Sequence, residues 1–108
     1  MISKLILDTL NNIGVPVSFM KYSGTATTYI TFFEYMQQGE SYADNTEKNT
    51  GHYIQVDIWS KTDYTTLRNS TLAALKAVGF SKTYETEMFE SDTLIYHKIL
   101  RLFYLEEV

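Results

Sequence analysis

Apolar residues at Ile2, Leu5, Ile6, Leu10 and Ile13 fall at the i, i+3, i+4 spacing of one helical stripe, and predict an amphipathic helix over 2–13. Gly14 suits the left-handed residue that ends a helix, and Pro16 blocks continuation. From Val15 the period shortens to two. Val15, Val17 and Phe19 alternate with Pro16, Ser18 and Met20, and after a turn around Gly24 a β-branched and aromatic run predicts a second strand over 28–36. The clearest strand is 52–59: Ile54, Val56 and Ile58 share one face, and Tyr53, Gln55, Asp57 and Trp59 the other. Ser60 and Asp63 then stand at capping-box spacing. Tyr64, Leu67, Thr71, Ala74, Leu75 and Val78 form a stripe closed by Gly79, which predicts a second helix over 63–78 with Phe80 folding back on its end.

The remainder reads as a hairpin, with Tyr84, Thr86 and Met88 opposing Glu85, Glu87 and Phe89, a turn at 90–93, and a final strand over 94–105. At about 3.3 Å per residue that strand spans about 40 Å, whereas a domain of this size has a radius of gyration of about 13 Å. It therefore crosses the domain or projects from it. The order α-β-β-β-α-β-β predicts one α+β domain over 1–108, with a mostly antiparallel sheet of four to five strands and two helices packed on one face. Residues 37–51 lack periodicity and are expected to form a mobile loop, although an extended hairpin also satisfies the pattern.

Composition narrows the chemistry. The 108 residues are 44% hydrophobic and 20% charged, which is globular, and thirteen acids against nine bases give a formal charge of −4. That balance argues against sequence-specific nucleic-acid binding, which draws on clustered Lys and Arg. The absence of cysteine excludes disulfides and thiol chemistry. The opening residues are not a secretory signal, and no apolar run approaches the roughly 20 residues of a membrane span. A protein assembled in the cytoplasm, without a membrane partner, is expected.

No residue set forms a defensible catalytic, metal or cofactor site. His52 and His97 lie on different strands without metal-pair spacing, and each reads as a surface or interface residue. Asp57 falls beside Gln55 on an outer strand face, as a solvated or ion-paired carboxylate. Glu85, Glu87 and Glu90 read as an exposed strand edge. The protein is not expected to be an enzyme. A contrasting reading is a small-molecule-binding or hydrolytic domain with a pocket under the second helix, drawing on His97 or Asp57.

Aromatic residues stand out: nine Tyr, six Phe and one Trp, types that suit surfaces wet before assembly and dry after it. Tyr29, Phe33 and Tyr35 share the odd face of the second strand, Tyr53 and Trp59 that of the third, and Tyr42 lies in the 37–51 segment. These six are the candidate interface residues. Either the helices cover the even faces and leave an aromatic sheet surface, or they cover the odd faces. In both cases the last strand, with Leu100, Leu102 and Tyr104 against Ile95, Ile99 and Phe103, is apolar on two sides, and the second side calls for a neighbouring subunit.

The stretch Tyr53-Ile54-Gln55-Val56-Asp57-Ile58-Trp59-Ser60-Lys61, running into a helix from Asp63, resembles the tail-completion proteins of long-tailed bacteriophages and prophages, also called tail terminators or tail-to-head joining proteins. The resemblance covers most of the chain in layout and about nine positions in residues. It implies a virion protein, assembled in the host cytoplasm, that caps the tail tube as a homo-oligomeric ring, commonly of six subunits, and meets the head-completion or connector protein. It implies no cofactor and no catalytic residue. Trp59 becomes an aromatic anchor and Ser60 the cap of the second helix. DNA passes through such a ring, and an acidic lumen lets it slide. Another neck protein, a head-closure or adaptor subunit, is the alternative within the same machine.

Overall fold

A computed structural model describes residues 2–43 and 46–107, with side chains described outside 40–48. The elements run α1 (Ile2–Thr9), β1 (Val17–Phe19), β2 (Thr28–Ala43), β3 (Thr46–Ser60), α2 (Thr65–Ala77), β4 (Ser81–Glu90) and β5 (Ile95–Glu107). This is the expected order, and the strands form one sheet, β1-β2-β3-β5-β4. Every pairing is antiparallel except β1 with β2, where Val17–Phe19 run parallel beside Ile30–Phe32.

Even-numbered strand residues carry the core. Ile30, Phe32, Ile54, Val56, Ile58, Leu100 and Leu102 are buried together against Ile2, Ile6 and Leu10 from the first helix and its following turn, and against Leu72 and Leu75 of α2. Both helices therefore cover the even side, because only that side offers an unbroken apolar surface to their stripes. The odd side is left open.

Helix α1 is shorter than the pattern predicts: Leu10 and Ile13 continue its apolar stripe in a turn, with the Ile13 amide donating to the Leu10 carbonyl. Helix α2 ends as expected. Phe80 N donates to Leu75 O and Gly79 N to Lys76 O, the paired bonds of a Schellman motif, with Gly79 at φ +111° and Phe80 buried. Its start differs from expectation. Ser60 is buried and accepts from the Thr62 amide, while Asp63 Oδ1 accepts from both the amide and the hydroxyl of Thr65, so Asp63 rather than Ser60 orders the first turn. Those two bonds hold the Asp63 carboxyl below its ordinary pKa.

The segment expected to be a mobile loop takes the alternative form, an extended hairpin. Residues 37–43 and 46–51 are the paired ends of β2 and β3, with Gln37 opposite His52 and Ala43 opposite Thr46. Three register irregularities interrupt the pairing of β2 with β3 from Glu34 onward, the first making Tyr35 the extra residue between Glu34 and Met36. At about 3.3 Å per residue the sixteen residues of β2 reach about 53 Å, and the molecule measures 53 × 26 × 23 Å. The final strand accordingly runs the length of an elongated body, as its twelve-residue apolar pattern required.

Candidate functional site

The open side of the sheet is built in cross-strand rows. The first row is Tyr29, Trp59, His97 and Met88; the next is Thr31, Asp57, Ile99 and Thr86; the third is Phe33, Gln55, Arg101 and Tyr84. Tyr53 and Phe103 make the fourth, with ring centroids 5.0 Å apart, and Tyr35 leans on Tyr53 at 6.2 Å. Five of the six candidate interface residues, Tyr29, Phe33, Tyr35, Tyr53 and Trp59, thus share this one face, which the helices leave uncovered. The side chain of the sixth, Tyr42, lies outside the described residues.

The first row is a stack. Trp59 lies 3.6 Å from His97, Tyr29 6.1 Å from Trp59 and Tyr22 4.4 Å from Tyr29, each pair within 29° of parallel. Strands are about 4.8 Å apart, so rings stacked from strand to strand stand upright and turn their edges outward. Tyr22 joins the stack from the turn before β2, where its hydroxyl accepts from the Ala26 amide. A side chain at Gly24 would collide with that hydroxyl at 2.2 Å, which explains glycine there. Packing among the rings, with the Glu90 charge adding to it, raises the Tyr29 pKa above the ordinary phenol value.

Beneath the rings runs a connected polar line. Trp59 Nε1 donates to Thr31 Oγ1 at 3.0 Å. His97 Nε2 lies 2.7 Å from Asp57 Oδ1, which also accepts from Gln55 Nε2 at 2.9 Å, and Arg101 Nε donates to Gln55 Oε1 at 3.1 Å. Asp57 is only 4% exposed, so the outer-face placement beside Gln55 holds and the carboxylate is buried and hydrogen-bonded rather than solvated. Its role is to fix the His97 ring under Trp59.

Arg101 was not legible as a site residue. Its guanidinium carbon sits 4.9 Å from the Tyr35 ring centre and 5.6 Å from that of Tyr84. Both rings owe their positions to bulges: Tyr35 is itself the extra residue of β2, and Thr83, the extra residue of β4, donates its hydroxyl to the Arg101 carbonyl just before Tyr84.

The helix side holds two charged clusters. His52, expected at a surface or interface, is buried, with Nδ1 on Glu34 and Nε2 2.9 Å from Glu106. Burial lowers its pKa, but the bonds to Glu106 and Glu34 outweigh burial and leave it raised. Glu85 is bound by Arg68, Lys82 and Lys98, and Arg68 above all holds its carboxyl far below the ordinary range. Far from marking a bare edge, Glu85 is an ion-pair centre. Beside it, a groove of about 650 Å³ opens at the start of α2, lined by residues including Lys61, Asp63, Tyr64, Arg68 and Lys98. His97 and Asp57 lie across the sheet from this groove, so the pocket and the residues named for a hydrolytic reading do not converge.

No protein-family model and no curated protein matches the chain. Among solved structures, a chain from the virion of a native gene transfer agent particle superimposes with a TM-score of 0.61 over 96% of this chain and 85% of that one, at 13% sequence identity. At that identity the likeness is one of fold. The arrangement of helices and sheet described above therefore occurs in a subunit of an assembled virion.

Proposed function

We propose that this chain is a structural virion subunit, a tail-completion protein that closes the tail tube as an oligomeric ring, of six copies in the family it resembles, and joins it to the head connector. The observation that carries the reading is the uncovered aromatic face lying opposite a fully closed core. A sheet needs one apolar side to fold; a second side built from Trp, Tyr, Phe and Arg has the composition of a protein interface centre. The shared fold with a virion chain supports the same reading. The upright stack supports a protein partner over a nucleobase, because the Trp59 face that a base would need is already occupied by His97. An acidic chain suits a ring through which DNA slides.

The test is electron microscopy of the purified protein mixed with tail tubes. Annular particles seated at tube ends are expected. A strict monomer that leaves tube ends bare overturns the proposal, and binding to DNA-filled heads alone reassigns the chain to another neck position.

A further inference from the structure

Arg101 is the cation seated among the rings of the open face, Lys21 lying at its far end beside Tyr29 and Trp59, and the Arg101 charge has no carboxylate partner among the described residues. Asp57 on the same face is taken up by hydrogen bonds with His97 and Gln55, and Arg68, Lys82 and Lys98 are all drawn to Glu85 on the other side of the sheet. Only Nε of Arg101 has an acceptor among the described residues, leaving the terminal nitrogens as exposed donors held in place by Tyr35 and Tyr84. A guanidinium already ordered between two rings loses little entropy on binding, and it matches a carboxylate. A partner for this face must bring apolar surface and one acid.

The chain itself carries such a surface. In the β4–β5 turn, Leu94 adopts φ +57°, a left-handed conformation that favours glycine, yet it is a leucine 64% exposed. It is the most exposed large apolar side chain among the described residues, and Phe89 at the end of β4 is more than half exposed. Asp92, also exposed, lies two residues away. Strain at a surface turn that holds a leucine out into water is a feature of recognition sites.

We infer that the β4–β5 turn of one copy docks on the open face of the next, with Leu94 on the aromatic rows and the Asp92 carboxylate on Arg101. The inference rests on the ring reading above and specifies its contact. Turn and face are different surfaces of one chain, so the contact is heterologous and propagates head to tail until a ring closes.

Charge reversal tests it. Arg101→Glu places acid against acid and Asp92→Arg base against base, so each variant alone is expected to lose about a hundredfold in self-association by sedimentation velocity. Mixing the two recreates opposite charges at every contact and is expected to restore assembly. Leu94→Gly relieves the strained turn and is expected to raise the melting temperature while weakening association, which separates docking from folding. Each variant's fold is verified by its thermal transition. Wild-type association that neither reversal weakens overturns the contact and leaves the ring reading standing. A wild-type chain that stays monomeric at millimolar concentration overturns the contact too, and the tube-end experiment then decides the ring separately. Shifts of the Trp59 indole and Arg101 Nε–H resonances on adding a mixed-sequence oligonucleotide, with none on concentrating the chain, give the face to nucleic acid and also overturn it.

Discussion

Replacing Glu85 with glutamine keeps the side chain's shape and removes the charge on which three cations converge. Arg68 donates from Nε at 2.9 Å and from Nη2 at 2.5 Å, and Lys82 and Lys98 each approach to 2.6 Å. The Glu85 side chain is 16% exposed and its partners 17–32% exposed, so the cluster lies between surface pairs and buried ones. Surface pairs contribute about 0.2–1 kcal/mol, while breaking a buried pair costs about 3–5 kcal/mol. An intermediate cost of about 2 kcal/mol is expected for Glu85→Gln, or a melting temperature lower by about 10 °C in a domain of this size. The pH dependence follows from the lowered pKa of Glu85. Its contribution is fully present above the unfolded carboxylate value of about 4.3 and is lost as pH falls toward the much lower folded value. Urea unfolding of both proteins at several pH values reads this directly. The stability gap should hold steady from neutrality to about pH 5 and shrink below about pH 4. A variant as stable as the parent at neutral pH, or a gap that widens on acidification, refutes the reasoning.

His52→Gln should show the opposite slope: the raised pKa means that the histidine's contribution is complete below about pH 6.5 and disappears as pH rises through the folded value, so parent and variant should converge in alkaline urea titrations. Phe32→Ala empties a site 1% exposed where the ring packs edge-on against Phe19 at 5.7 Å, and should cost about 3–5 kcal/mol by denaturant unfolding. Gly79→Ala places a methyl 3.2 Å from the Tyr104 ring at φ +111°, and should cost about 1–2 kcal/mol in the same assay.

The core was legible because burial on one side forces strict alternation. Ile54, Val56 and Ile58 announce their face, and the stripe ending at Leu75 and Gly79 announces α2 and its closure. Which sheet face the helices cover was open, since both carry apolar groups, and the structure decides it by seating Ile6 and Leu75 on the even side. The far halves of β2 and β3 were legible only as the hairpin alternative to a mobile loop. There the two strands pair across their own hairpin, and β3 also with distant β5, without a strict apolar alternation to mark it. Arg101 looked like an interruption in an apolar run, because the bulges that bring Tyr35 and Tyr84 beside it belong to other strands. His52 looked superficial for a similar reason: one of its carboxylates, Glu106, is contributed by β5, 54 residues away.

The three residues of β1 flank β2 only as far as Phe32, so from Phe33 onward the outer backbone of β2 has no strand beside it among the described residues. A straight ribbon of that length would invite copies to zip together into fibres without limit. The kinks at Tyr35 and beyond Gly39 spoil that template. Growth by zippering along this edge is thereby suppressed.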